Sequence, residues 1–251
     1  MKKSTSNNLN RILGIVLFVI LWQVLSMIID KEVFILPGPY LTVQYVIKLL
    51  GGTYLYKCIG TTLVKMISGF AISFVIAFIL GALAGNSSFI KEILQPLMLV
   101  LRSVPTASLV YLFLLLAGVK LAPIYIVVLI ALPILYEAIE KGIEEVPKDI
   151  IQASQVDGSN IFDLNVRVKI PLAMPYILVG INSSFALSFK IEIMAEVITG
   201  SSMYGLGSAI VSAQRSDPTN MVPVFAYSLV AIVIMLLIDN TVKTINNKYQ
   251  K

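Results

Sequence analysis

Lys148-Asp149-Ile150-Ile151-Gln152-Ala153-Ser154-Gln155-Val156-Asp157-Gly158, followed after nine residues by Val168-Lys169-Ile170-Pro171, is the stretch that decides how this chain is read. It lies inside a charged interruption, 137–171, flanked on both sides by long apolar segments. Pro147 favours the start of a helix, Asp149 sits near that helix's N-terminal end, and Gly158 permits a sharp exit. Ile161, Phe162 and Leu164 then supply an apolar knob. A short helix with such a knob suits insertion into a groove on a partner and transmission of rigid-body motion. The bland alternative is a connecting loop whose apolar residues touch the membrane surface.

The chain around this stretch is 57% hydrophobic and only 13% charged, far more apolar than a 251-residue soluble globule requires. It is therefore read as an all-α integral membrane protein forming one domain over 1–251. Six segments are long and apolar enough, some with their flanks, to cross a hydrocarbon core of roughly 30 Å. They are 12–29, 62–85, 93–116, 122–139, 174–198 and 222–241. The first, which lacks a small-residue cleavage pattern and ends in Asp30-Lys31-Glu32, is read as a retained membrane helix. With both termini inside, Lys91, Lys141, Lys148, Arg167 and Lys169 join the basic ends on the cytoplasmic face. Lys31, Lys48, Lys57, Lys120 and Arg215 are left outside. That asymmetry predicts N-in, C-in and a cytoplasmic 137–171 loop. The same clustering accounts for the net charge of +5 without nucleic acid.

One cysteine, Cys58, and no histidine leave no intramolecular disulfide and none of the usual zinc or haem ligand sets. No cofactor or metal is expected in this chain, and no nucleophile–base set points to an enzyme. Leu36-Pro37-Gly38-Pro39 predicts a rigid turn, followed by a short amphipathic outer helix carrying Val43, Val46, Ile47 and Leu50. Gly81 and Gly85 form a small-xxx-small pair for close helix contact.

The fifth segment is the least lipid-like. Ser184, Ser188, Glu192 and Glu196 recur at four-residue spacing and share one helix face, with Lys190 nearby. The functional reading is a wet translocation path or gate, with Lys190, another helix or water partnering the carboxylates; the structural one is hydrogen bonding within a bundle. Arg102, near the inner end of the third segment, either snorkels to headgroups or faces a partner or wet path. Pro105 reads as a hinge.

The 152–171 spacing resembles the Glu-Ala-Ala-x3-Gly-x9-Ile-x-Leu-Pro loop of permease subunits in ATP-binding-cassette importers. The resemblance extends over most of the chain, and it is similar to the nitrate/sulfonate/taurine subgroup. Trp22 with Leu36-Pro37-Gly38-Pro39, Thr61-Thr62 with Ser68-Gly69-Phe70, and Leu101-Arg102-Ser103-Val104-Pro105-Thr106-Ala107 carry it, as do Ala195-Glu196-Val197 and Gly205-Leu206-Gly207. The chain departs from the pattern at Gln152, Ser154 and Ile170, and Lys190 and Glu192 stand where that subgroup is more apolar.

The resemblance implies a type I importer-like permease in a prokaryotic cell membrane. Its coupling helix, 150–165, would dock a cytoplasmic ATPase through Gln152, Ala153, Ser154, Asp157, Gly158, Ile161, Phe162 and Pro171. It further implies a second permease copy, most simply a homodimer, and an extracytoplasmic solute-binding protein. ATP and Mg would sit on the partner ATPase, since the chain has no Gly-x4-Gly-Lys-Ser/Thr loop. The implied solute is a sulfonate- or nitrate-like anion or a heteroaromatic vitamin precursor. The rival reading is an ion-coupled secondary transporter using Glu192 and Glu196.

Overall fold

Cys58, Thr62, Met66, Gly69, Ser73, Ala77, Gly81 and Ala84 recur at helical spacing, and all are buried along one face of α3 (Thr53–Asn86). They belong to a computed structural model that describes residues 2–29, 35–156, 158–200 and 204–249, with side chains from residue 13 to 244 in those ranges except Ile161. Small residues let backbones approach closely. A Cβ on Gly81 would lie 3.0 Å from that of Ile139, and one on Gly85 2.8 Å from that of Ile143, so α3 packs directly on α5 (Thr106–Glu144). Gly180 of α8 (Ile170–Thr199) stands against Ala138 in the same way, at 2.4 Å. Helices α3, α5 and α8 thus form the centre of the bundle.

The remaining elements are α1 (Lys2–Ile29), α2 (Pro39–Leu50), α4 (Ser88–Ser103), α6 (Lys148–Val156), the single turn α7 (Ile161–Asp163), a π-helical segment Leu164–Lys169, α9 (Leu206–Ser216) and α10 (Val222–Tyr249). Among the described residues, four helices are long and apolar enough to cross a membrane: Thr53–Asn86, Thr106–Glu144, Leu164–Thr199 and Val222–Thr244. Leu13–Ile29 is a shorter apolar helix.

Helix α5 is not one rod. Gly118 has φ 70° and ψ 173°, outside helical geometry and in a region that favours glycine. Beyond it the chain folds back, so the rings of Phe113 and Tyr125 stack 5.5 Å apart. On a straight helix twelve residues would separate them by roughly 18 Å. Val110 accordingly shares a core cluster with Ala122 and Ile126. The element is a hairpin of two limbs, 106–117 and 119–144.

Within 93–116, where Pro105 reads as a hinge, the helix is interrupted at that proline. Helix α4 ends at Ser103, and Val104 and Pro105 are extended, with ψ of 128° and 124°. Proline has no N–H for the helix ladder and disfavours helical geometry in the preceding residue, which places the break at this pair.

The Leu36-Pro37-Gly38-Pro39 turn is held from below. Trp22 Nε1 donates to the Pro37 carbonyl at 3.0 Å, and buried Thr42 Oγ1 donates to the Gly38 carbonyl at 3.0 Å. Of the expected apolar face of α2, Val46 packs into the core with Leu49, while Val43, Ile47 and Leu50 stay exposed. Between α9 and α10, Asp217 accepts from the Thr219 hydroxyl at 2.7 Å and its amide at 3.1 Å, which holds the Asp217 carboxyl below the usual carboxylate range.

Candidate functional site

The 145–171 connection begins where Pro147, whose carbonyl accepts from the amides of Ile150 and Ile151, opens α6. The helix closes on Gly158, which adopts φ +82°, while the Ser159 amide returns to the Ser154 carbonyl at 3.1 Å and the two serine hydroxyls meet at 2.9 Å. No residue of α6 is buried. Gln152 and Ala153 are exposed, Ser154 is half-buried, and Val156 and Phe162 are 88% and 73% exposed. Leu164, expected in the apolar knob, is instead buried and anchors the π-helical segment. Asp157 lies outside the described residues, as does the Ile161 side chain. The exit is fixed by Pro171 at the start of α8 and by Lys169 Nζ, which donates to Asn86 Oδ1 of α3 at 2.6 Å. The arrangement is an exposed, apolar-tipped helix within a connection anchored before it at buried Val146 and after it at Leu164 and Lys169.

At the other end of α8, Glu196 is wholly buried and multiply bonded. Lys65 Nζ lies 3.0 Å from its Oε1, while Thr62 Oγ1 and the Gly207 amide donate to its Oε2 at 2.8 and 3.0 Å. The Leu206 amide donates to Thr62 Oγ1 at 2.9 Å. The carboxylate therefore meets the N-terminus of α9, where amides are free and the helix dipole favours negative charge. A Cβ on Gly205 would stand 2.4 Å from Glu196 Oε1, and one on Gly207 2.4 Å from the Ile193 carbonyl. Ala195-Glu196-Val197 and Gly205-Leu206-Gly207 are thus one physical unit.

The other members of the stripe differ from one another. Ser184 and Ser188 are buried and donate to their own helix, to the carbonyls of Gly180 and Ser184 at 2.6 and 2.7 Å. Glu192, one turn from Glu196, is also wholly buried, and neither of its carboxyl oxygens has a hydrogen-bond partner among the described residues. Lys190 is exposed, on a different side of α8. The cation that reaches Glu196 is Lys65, which the sequence reading did not select. A lone lysine within the apolar run 62–85 was the available signal, since ionisable groups in spans are expensive.

Arg102 finds a protein partner: its guanidinium pairs with the Glu137 carboxylate of α5, whose other oxygen accepts from Lys141 Nζ at 2.7 Å. Lys91 Nζ sits 2.7 Å from Glu140 and 2.6 Å from Glu144. These pairs tie α4 to the end of α5 and border a cavity of about 270 Å³. A second, more open groove of about 480 Å³ runs between α5 and α8, lined by Ala138, Tyr176, Val179 and Ser183 among others.

A helical bundle with apolar spans, an exposed inter-span helix and buried polar ties between spans is the architecture of a polytopic membrane protein. Residues 73–251 match the family described as binding-protein-dependent transport system inner membrane component, and the chain belongs to that family. A Methanocaldococcus jannaschii protein named as an ABC transporter permease is 28% identical over 239 residues, covering 93% of this chain and 88% of its own. The Bacillus subtilis protein SsuC, named as an aliphatic sulfonates transport permease, is 27% identical over 92% of this chain and 83% of its own. The solved inward-facing MetNI methionine ABC transporter has the same fold, with a TM-score of 0.68 at 18% identity over 78% of this chain and 95% of that one. The protein is an inner-membrane permease subunit of a binding-protein-dependent ABC transport system.

Proposed function

We propose that this subunit crosses the membrane six times, with both termini in the cytoplasm, and that α6 and α7 dock a cytoplasmic ATPase that drives it. The observation that carries the reading is α6, which buries none of its residues although the connection that carries it is tied to the bundle beyond both its ends, through buried Val146 before it and through buried Leu164 and the Lys169–Asn86 bond after it. A helix so placed moves with the spans and presents Val156 and Phe162 to a partner groove. Gln152, Ala153, Ser154, Asp157, Gly158, Ile161 and Pro171 complete the docking element.

The crossings are α1, α3, α4 with the first limb of α5, the second limb of α5, α8 and α10. The hairpin at Gly118 supports two separate crossings within what is otherwise one helix. ATP and Mg bind the partner, a binding protein delivers solute from outside, and a second copy of this chain completes the path. The open α5/α8 groove is the wall along which solute passes. Ser184, Ser188, Glu192 and Glu196 frame the path's outer half, with exposed Lys190 at its edge and Arg102 and Pro105 at the hinge of α4. The solute is a sulfonate- or nitrate-like anion or a heteroaromatic vitamin precursor.

The test is ATPase activity of the permease co-assembled with its ATPase in nanodiscs, with and without binding protein and solute. Stimulation by both, lost in Gly158→Pro while the permease stays inserted, supports the reading. Uptake that follows a proton or sodium gradient without any ATPase favours the secondary transporter.

A further inference from the structure

From Ile177 to Thr199, Val179, Ser183 and Lys190 alone among the residues of α8 are exposed. Steps of four and seven residues keep all three on one helix face, and Tyr176, Val179 and Ser183 of that face line the α5/α8 groove. Lys190 continues the groove face about 10 Å beyond Ser183. Its Cα–Cβ bond tilts toward the helix N-terminus, so the stem leaves the backbone on the Ser183 side and away from the end of α8 at Thr199. Glu192 and Glu196 are wholly buried on the opposite side of the helix. Gly180 lies against Ala138, and Ala195 packs with Ala122 and Ile126, so the α5 residues level with Lys190 fall between Lys120 and Glu137, a stretch without an acidic residue. Among the described residues Lys190 enters no ion pair or hydrogen bond. An unpaired ammonium on the apolar length of a span is costly, and one retained there faces a partner or a wet path.

We propose that Lys190 selects the solute by charge: its ammonium pairs with the single anionic head, a carboxylate or sulfonate, of a small organic anion whose apolar body lies along the groove. Ala138, Pro175, Val179 and Gly180 give that body an apolar wall, and Tyr176 gives it an aromatic face. At the far end of the groove Glu137 and Lys141 pair with each other. The Ser183 hydroxyl already donates to the Val179 carbonyl at 2.8 Å, which leaves Lys190 as the donor to an anionic head. Lysine suits the role as a compact point charge on a flexible stem that can follow a moving solute. Of the solute classes proposed above, an organic anion fits. Nitrate has no apolar body to bury, and a cationic precursor would be repelled. The inference rests on the groove being the solute's path, as proposed above, and not on the energy source that drives transport.

The experiment is thiol modification at Ser183→Cys in a Cys58→Ala background, which removes the native thiol, with the permease–ATPase assembly in phosphatidylcholine nanodiscs. Two methanethiosulfonates of similar size are the probes, the ethylsulfonate anion and the ethyltrimethylammonium cation, each rate being divided by that with a free thiol in solution. The anion-to-cation ratio is expected to exceed unity, to fall about tenfold in Lys190→Gln and to return in Lys190→Arg. Butanesulfonate should protect the thiol more strongly than nitrate, butylammonium should not protect it, and Lys190→Gln should abolish the protection. A ratio unchanged by Lys190→Gln, protection that survives it, or a thiol that neither reagent reaches overturns the proposal. Repeating the measurement with phosphatidylglycerol in the discs identifies a lipid source. Butanesulfonate protection lost in that lipid assigns Lys190 to a headgroup phosphate and also overturns the proposal; protection retained supports it. Modification needs neither ATP hydrolysis nor uptake. An intact ratio without ATPase stimulation would therefore sink the importer reading and leave charge selection standing, and the converse result would remove Lys190 alone.

Discussion

Glu196 and Lys65, 131 residues apart in sequence, form an ion pair of 3.0 Å in which the carboxylate is wholly buried. The pair joins α8 to α3, and the same carboxylate holds the start of α9 through Gly207. Removing one partner strands a buried charge, at a cost of about 3–5 kcal/mol, whereas removing both can be nearly neutral. Lys65→Met should therefore lower the thermal midpoint in nanodiscs sharply. Lys65→Met combined with Glu196→Gln should recover much of the loss. Equal losses in the single and double variants would mean that the pair contributes packing rather than charge.

Gly207 and Gly60 offer a paired comparison. A Cβ on Gly207 would lie 2.4 Å from the Ile193 backbone carbonyl, which has no side-chain freedom to yield; one on Gly60 meets nothing within 4 Å. Gly60→Ala should be neutral or slightly stabilising, since alanine is the better helix former by about 1 kcal/mol. Gly207→Ala should separate α8 from α9 and reduce stability by about 1–3 kcal/mol through overpacking. Thermal unfolding of both variants in the same lipid checks the contrast.

Much of this architecture follows from residue pattern. Long apolar runs specify the spans, and Pro147, Gly158 and Pro171 punctuate α6 and the exit from its loop as their backbone preferences require. Pro105 was legible as a bend, but that it ends the helix outright depends on Thr106 onward finding its own packing, with Val110 against Ala122 and Ile126. Lys65 was not legible, because one lysine barely alters the hydropathy of its run and its partner is supplied by a distant helix. The inward turn of Leu164 likewise depends on the π-helical segment, which carries no local sequence signature. The polar stripe on α8 was visible as a stripe. That Glu196 is a helix cap and Glu192 is unpartnered is set by where α9 docks, a tertiary fact.

Glu192 supplies the third prediction. Its carboxyl is buried with both oxygens unpaired among the described residues, an arrangement that is unfavourable in one fixed state. A conformational cycle that admits water to the C-terminal half of α8 relieves it. Glu192→Leu should therefore stabilise the closed permease and slow solute uptake, while docking of the ATPase is retained. Thermal stability and uptake measured on the same proteoliposomes test this. A destabilised variant with unaltered uptake would assign Glu192 to bundle packing alone.

Phe162, 73% exposed, lies just beyond the turn at Gly158, whose φ of +82° any residue with a Cβ adopts only under strain. Two substitutions separate the surface of the docking element from its shape. Phe162→Asp places a charge where an apolar side chain would enter a partner groove, yet alters a side chain that is largely exposed in this subunit. It should abolish co-purification of the ATPase while leaving the thermal midpoint of the permease within about 0.5 kcal/mol equivalent, as for other surface changes. Gly158→Ala keeps the apolar tip but opposes the turn by about 1 kcal/mol, a cost that docking can partly overcome. It should retain the ATPase and lower the stimulation by binding protein and solute severalfold. Wild-type co-purification in Phe162→Asp would remove α7 from the interface and leave Val156, on the other side of the turn, as the apolar contact to test next.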